Sequence, residues 1–232
     1  MTALLSSTYF GPIEWYHKMV MHREAVIEAH DNYQKQTYRN RCVIATTQGT
    51  QVLTVPVERQ AGNRVRISDH GNWRHLHWHA LLSAYSESPF FDYYADDIRP
   101  FFEKRYTYLY DFNREICLRM CQLLDIRPHI TESQRYLTAE ECSTQGIADY
   151  RESIHPKRPV QEEGAPLKPY YQVFAHKHGF IPHLSILDLL FNMGPEAAVL
   201  LGETTDTYRQ EANEAACTLN QKTKNITNTI ST

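Results

Sequence analysis

A basic and aromatic segment, residues 33–42, holds the side chains of this 232-residue chain that are best suited to chemistry. It reads Tyr-Gln-Lys-Gln-Thr-Tyr-Arg-Asn-Arg-Cys, with three fixed cations and no acid. In an extended chain Arg39 and Arg41 point to the same face, because side chains alternate along a strand. Two guanidinium groups on one face suit a phosphate or a carboxylate. The segment therefore predicts an anion site containing Lys35, Arg39 and Arg41. The alternative is a basic strand edge that resists aggregation.

Three alternating histidines follow at His75, His77 and His79. On a helix His75 and His79 are one turn apart, and His77 points elsewhere. A metal would need a further ligand, and no adjacent acid completes a zinc signature, so we predict no metal site. His77 is instead the best general acid or base in the chain, provided that it faces the basic segment. The alternative is a core or boundary histidine bonded to a carbonyl.

A carboxylate also lies inside an apolar run, at Asp188. Ser185 precedes it by three residues, which fits a helix N-cap followed by its capping-box partner. Gly194 and Pro195 then fit the end of a short helix. Capping is the simpler interpretation, and the alternative is a buried carboxylate that orients an Arg or His of the site.

The turn at residues 9–12, Tyr-Phe-Gly-Pro, separates a predicted strand from a predicted helix. Its glycine would let the backbone approach an anionic ligand at the start of that helix. One glycine is much weaker than a complete dinucleotide or phosphate-loop motif, and an ordinary tight turn explains it equally well. The sequence therefore identifies no cofactor.

Composition narrows the class of protein. The net charge of −3 argues against a general nucleic-acid binder, which is normally basic. Five cysteines without paired spacing do not form a disulfide framework, and Cys117 and Cys121 are expected in the core. No basic N-terminal signal and no stretch of roughly 20 apolar residues is present, so we expect a cytoplasmic protein without a membrane span.

Hydrophobic periodicity predicts the elements that position these residues. We expect strands at residues 4–10, 25–29 and 64–68, and a hairpin formed by residues 41–46 and 51–57. Helices are predicted at residues 13–21, 73–85 and 100–124 and from residue 186 onward. Residues 127–168 lack sustained periodicity, and we expect loop there with one short helix at most.

These elements predict a single α+β domain over residues 1–202. Its N-terminal sheet is expected to be mostly antiparallel or mixed and to be packed by helices. Residues 203–232 are rich in Thr, Asn, Gln and Glu, and they predict a polar, weakly ordered tail.

The chain resembles the WbqC-like protein family. Six segments occur in the family's order: YFGPI, KQTYRNR, LTVPV, WRHLH, SPFF and LSILDLLFNMGP, which begin at residues 9, 35, 53, 73, 88 and 184. The resemblance marks Tyr9, Trp73 and His77 as matching positions. Many members carry a Ser-Gly-rich segment before the last block, whereas this chain has a Pro- and charge-rich stretch at residues 148–168. No nucleophile is therefore carried over.

What the resemblance implies is a place in bacterial cell-surface polysaccharide and O-antigen biosynthesis. The first hypothesis is a transferase acting on an anionic small molecule such as a nucleotide sugar. Lys35, Arg39 and Arg41 would bind phosphate or carboxylate, Tyr9, Tyr38 and Trp73 would line the pocket, and His77 with Asp188 would serve catalysis. The second hypothesis is a non-catalytic accessory protein that binds an anionic ligand or a protein partner through the same face.

Overall fold

The computed structural model describes residues 1–58, 64–157 and 168–202. Its central element is a parallel sheet of four strands in the order β7-β2-β1-β8. These strands are β1 (Thr2–Ser6), β2 (Glu24–Glu28), β7 (Ile130–Glu132) and β8 (Ile147–Asp149). Each neighbouring pair is parallel, with Ser6 opposite Glu28, Leu4 opposite Asp149 and Ile27 opposite Glu132.

The prediction of a mostly antiparallel or mixed N-terminal sheet was therefore wrong. A helix, α1 (Ile13–Met21), connects β1 to β2, and a helical crossover between neighbouring strands makes them parallel. Two small antiparallel pairs do occur outside this sheet, and the hairpin was mistaken for part of it.

The hairpin consists of β3 (Arg41–Thr46) and β4 (Gly49–Thr54), in which Arg41 lies opposite Thr54. A second antiparallel pair joins β5 (Val57–Glu58) to β6 (Arg66–Ile67). The remaining helices are α2 (Trp73–Tyr85), α3 (Phe91–Ile98), α4 (Pro100–Glu103), α5 (Leu109–Leu123), α6 (Ala139–Thr144), α7 (Ala175–His178), α8 (Ile186–Met193) and α9 (Ala197–Leu200). Short 3-10 turns precede α2 and α9.

Several helix boundaries follow from local chemistry. Thr138 caps α6 through a capping box with Glu141, and Pro100 opens α4 at a position where its missing N–H is not needed. The predicted helix at residues 100–124 is two helices, α4 and α5. Residues 127–168 were predicted as loop with one short helix at most. The short helix α6 lies there, but so do both outer strands of the central sheet, which were not predicted.

The hydrophobic core joins the sheet to the helices. Helix α8 is buried on almost every side. Its first N–H, that of Ile186, donates to the carbonyl of Gly11, and the hydroxyl of Ser185 accepts from the N–H of Leu187. The segment before α8 also covers the start of α1, because the N–H of Ile13 donates to the carbonyl of Leu184 at 3.1 Å. The N–H group at the start of α1 is thus bonded to the main chain at Leu184.

Gly194, at the end of α8, has φ of +52°, and a Cβ there would lie 2.6 Å from the ring of Phe90. We expect Gly194→Ala to lower the free energy of unfolding by about 2–3 kcal/mol, since backbone strain and overpacking add. Gly146→Ala is the control, because Gly146 has a similar φ of +66° but open space around its Cα. Its expected cost is about 1 kcal/mol. Equal losses in urea denaturation would contradict the packing argument.

Candidate functional site

The carboxyl ends of the four parallel strands meet at one edge of the sheet. The chain runs from β1 to β2 and on to β7 in one direction, then returns to the other side of β1 to form β8. The order of connections thus reverses between β1 and β8. In open α/β sheets, ligands bind outside the carboxyl ends of the strands at such a reversal. This edge is our candidate site.

Charged side chains meet there across the end of β1. Arg151, two residues after β8, donates from Nη1 to Glu28 at 2.9 Å and from Nη2 to Asp149 at 2.6 Å. Its Nη2 also donates to the carbonyl of Leu137 at 2.7 Å. Ser133 donates to Glu28 at 2.7 Å from the loop after β7. We call Glu28, Ser133, Asp149 and Arg151 the carboxyl-edge network.

The carboxyl-edge network is largely withdrawn from solvent. The Glu28 side chain is fully buried, and that of Arg151 is 5% exposed. Burial alone would raise the pKa of Asp149, but the hydrogen bonds from Arg151 outweigh it, so this pKa lies below its usual value. The network therefore fixes the loops that follow three of the four strands, β2, β7 and β8. Sequence reasoning missed Arg151 because three-residue strands leave no periodic signal, although polar residues after the Ile147-Ala148 pair were a clue.

The basic segment joins the same edge, with a different geometry from the one predicted. Arg39 is buried and donates from Nε to Asp31 at 3.1 Å, with Nη2 closing a second contact to the same carboxylate oxygen. Burial raises the pKa of Asp31 despite the attraction of Arg39. Residues 35–40 form turns, and Gln36 has φ of +63°, so Arg39 and Arg41 do not alternate along one extended strand.

The other predicted binding residues of this segment lie in different surroundings. Tyr38 is buried, and its carbonyl accepts from the N–H of Tyr9 at 2.9 Å. Lys35 is exposed in the turn after β2. Arg41 begins β3 and is half-buried. The segment also reaches the loop after β8, because Gln34 donates to Glu152 at 2.6 Å.

Tyr9 and His77 form a buried pair beside this segment. The Tyr9 hydroxyl lies 2.8 Å from Nδ1 of His77, and the ring of Trp73 packs edge-on against His77 at 5.2 Å between centroids. Burial lowers the pKa of His77 to about 4, although the backbone of Thr54 opposes the shift. His77 is thus a buried histidine that is hydrogen-bonded to Tyr9 and neutral at pH 7. His75 and His79 lie on another face of α2, with ring centroids 4.1 Å apart.

Asp188 lies in a separate cluster. Its carboxylate accepts from the hydroxyls of Tyr85 at 3.0 Å and Tyr170 at 2.6 Å, and the Tyr170 hydroxyl in turn accepts from Gln172. Burial raises the pKa of Asp188 to about 6, in spite of these hydrogen bonds. Ser185 caps α8 as predicted, but Asp188 binds the tyrosines instead of completing a capping box.

The structure thus brings together some of the predicted residues. Tyr9, Tyr38, Trp73 and His77 form one contiguous group, and Arg39 lies next to it in the chain. Asp188 contacts none of them in the hydrogen bonds and ring contacts of the described residues. Cys42 is buried, which raises the pKa of its thiol, so the neighbouring arginines do not activate it.

A model of the WbqC-like protein family matches residues 7–167, and the chain belongs to that family. The chain is also 28% identical over 221 residues to the uncharacterized protein Rv1507c of Mycobacterium tuberculosis. That alignment covers 84% of this chain and 94% of its relative. No solved structure gives a significant match.

Two further observations concern the part of the chain that the structure describes. None of its helices combines the length and the apolar character needed to cross a membrane. Within the same residues, no group of three or more His, Cys, Asp or Glu side chains is arranged to hold a metal ion.

Removing Arg151 should destabilise the fold, since it leaves Glu28 buried without its cation. We expect Arg151→Met to lower the free energy of unfolding by about 3–5 kcal/mol in urea denaturation at pH 7. Arg119→Met is the control, because Arg119 pairs with Asp97 on a partly exposed surface. Its expected loss is at most about 1 kcal/mol. Similar losses for both variants would show that the carboxyl-edge network does not constrain the fold.

The raised pKa of Asp188 predicts a pH dependence of stability. Between about pH 4 and pH 6 the folded state keeps a proton that the unfolded state has lost, so wild-type stability falls as pH rises through this window. Asp188→Asn cannot ionise. We therefore expect the variant to gain about 2–3 kcal/mol relative to wild type between pH 4 and pH 7.

The measurement is urea denaturation of both proteins across this range. Subtracting the two profiles cancels the opposite contribution of His77, whose lowered pKa disfavours the folded state as pH falls below about 6.5. A constant difference between variant and wild type would contradict the assignment.

Proposed function

We propose that this protein acts in bacterial cell-surface polysaccharide biosynthesis, of the O-antigen or lipopolysaccharide kind, and modifies a nucleotide-linked sugar at the carboxyl edge of its parallel sheet. The observation that carries the proposal is the position of the carboxyl-edge network at the reversal between β1 and β8. Membership of the WbqC-like family supports this pathway, because the resemblance to that family implies a place in cell-surface polysaccharide biosynthesis.

The chemistry of this edge suits a hydroxyl-rich ligand. Asp149, whose side chain is 25% exposed, can accept hydrogen bonds from hydroxyls, and Tyr136 adds an exposed aromatic ring 4.7 Å from the Arg151 guanidinium. Because Arg39 and Arg151 are both paired with acids, they offer a phosphate less charge than the sequence indicated. Lys35, exposed in the neighbouring turn, is the cation that we assign to the phosphate.

The proposed reaction is group transfer that relies on positioning. His77 and Asp188 are 6% and 1% exposed, so neither contacts a ligand at the surface without a rearrangement. His77 supports the neighbouring basic segment through Tyr9, whose N–H donates to the carbonyl of Tyr38, whereas Asp188 lies in its separate cluster. Transfer between two bound groups can proceed by proximity and electrostatic stabilisation without a covalent intermediate.

The same burial favours a second candidate function, a non-catalytic accessory protein of this pathway. Such a protein would bind the anionic ligand, or a partner enzyme, at the same edge. The two candidates differ in turnover: an enzyme consumes the nucleotide sugar when a donor of the transferred group is present, whereas an accessory protein binds it unchanged.

Thermal unfolding with a panel of nucleotide sugars and free nucleotides tests the proposal. We expect one nucleotide sugar to stabilise the wild type, by about 3 kcal/mol at a concentration of 100 Kd. Lys35→Ala should weaken this stabilisation. Lys177→Ala is the control, because Lys177 is an exposed lysine on α7, bonded to the carbonyl of Thr47.

The possible results of these experiments have different consequences for the two candidate functions. Stabilisation that persists in Lys35→Ala would place the ligand elsewhere and contradict the proposal. Absence of stabilisation by every compound of the panel would also contradict it. Product formation from the stabilising sugar, followed by mass spectrometry with candidate donors, would select the enzyme over the accessory protein.

A further inference from the structure

An open cleft lies on another surface of the molecule, between α2 and α4. Its volume is about 560 Å³, within the range of small-molecule sites. The lining residues are Asp69, Asn72, Arg74, His75, Trp78, His79, Arg99, Phe102, Glu103 and Arg105. None of them belongs to the carboxyl-edge network. We call this region the basic cleft.

Positive charge exceeds negative charge in the basic cleft. Three arginines face two carboxylates, which leaves one net positive charge with both histidines neutral. Asp69 is shared, because Nη1 of Arg74 donates to it at 2.6 Å and Arg105 lies 3.4 Å from its other oxygen. The hydrogen bond from Arg74 holds the pKa of Asp69 below its usual value. One carboxylate thus serves two guanidinium groups.

Arg74 has unused hydrogen-bonding capacity. Its guanidinium stacks on the ring of Trp73 at 4.5 Å, which fixes its orientation. Nε and Nη2 of Arg74 are buried and have no hydrogen-bond partner among the described residues. A buried donor without a partner is destabilising, so a shift of the Arg74 side chain that brings these atoms to an acceptor in the cleft would be favourable.

The other two arginines of the basic cleft can exchange their carboxylate partners for a ligand. Arg99 pairs with Glu103 on a surface where both side chains are more than half exposed, and Arg105 is 81% exposed. Exposed pairs of this kind contribute little, so a doubly charged anion can displace the carboxylate. His75 and His79 add N–H donors on the same wall.

The basic cleft also has an apolar wall. Trp78 and Phe102 both line it, and their rings are in contact, with centroids 5.8 Å apart. Phe102 separates the cleft from His77, since its ring contacts His77 on the inner side at 6.5 Å between centroids. An aromatic surface next to clustered guanidinium groups suits a ligand with both a phosphate and a flat organic group.

We infer that the basic cleft is a second ligand site, which binds an organic phosphate such as a nucleoside diphosphate. The arginines hold the phosphate groups, and the organic group lies against Trp78 and Phe102. This site goes beyond the proposed function, because it uses none of the residues of the carboxyl edge and is tested with a probe that contains no sugar.

Titration calorimetry of the full-length protein with inorganic pyrophosphate and with a nucleoside diphosphate tests the inference. The buffer should hold about 50 mM salt, since screening weakens exposed contacts. We expect both probes to bind wild type. The Arg99→Ala/Arg105→Ala double variant should bind each of them at least about tenfold more weakly. Both positions are exposed, so the unliganded variant should unfold at the wild-type temperature.

Matched controls separate this site from general charge and from the carboxyl edge. Arg23→Ala removes an exposed arginine that does not line the cleft, and Lys35→Ala removes the cation of the proposed sugar site. The Arg23→Ala variant should bind pyrophosphate as wild type does. Absence of pyrophosphate binding at millimolar concentration, or equal weakening in Arg23→Ala, would overturn the inference. If pyrophosphate binding is lost in Lys35→Ala alone, the phosphate binds at the carboxyl edge and the inference is overturned.

Discussion

The buried ion pair between Arg151 and Glu28 is the interaction on which the rest of the candidate site depends. It joins the loop after β8 to the end of β2 across the end of β1. A fully buried carboxylate is strongly unfavourable without a cation and further donors, and Glu28 has both, through Arg151 and Ser133. The three loops can therefore adopt few other arrangements.

The fixed positions of these loops determine which groups the candidate site can offer to a ligand. Arg39 and Asp31 extend the paired charges along the same edge, so the site presents oriented polar groups more than excess charge. Tyr9 and His77 form a neutral pair beside the basic segment, and Asp188 is fixed by two tyrosines in a separate cluster. Lys35 remains exposed at the edge. Preorganised polar groups of this kind can hold a transferring group in place, which is the role that we propose for the edge.

The sequence predicted the local elements better than their assembly. Helix α1 and strand β3 were predicted with the bounds that the structure gives, because each has a clear period and clear terminal residues. Strands β7 and β8 have three residues each, too few for a periodic signal, so half of the central sheet was missed. The predicted order of strand, helix and strand over residues 4–29 did indicate the parallel pair of β1 and β2. The predicted tail at residues 203–232 lies outside the described residues.

For the site residues too, local sequence patterns were informative, whereas their arrangement in space could not be predicted. Alternation along residues 33–42 placed two arginines on one face, but turns at residues 35–40 interrupt the strand geometry on which that prediction rests. The burial of His77, and with it the lowered pKa, depends on residues far away in the chain. Arg74 and Arg99 are 25 positions apart in sequence, so no local pattern could reveal that both line one cleft.

The central claim is that the ligand binds at the carboxyl edge of the parallel sheet, and a crystal structure with a bound nucleotide sugar tests it most directly. Our account predicts density for the sugar over the ends of β1 and β8, within hydrogen-bonding distance of Asp149, whose side chain is 25% exposed, and with its phosphate near Lys35. A sugar bound elsewhere, with the carboxyl-edge network untouched, would contradict it.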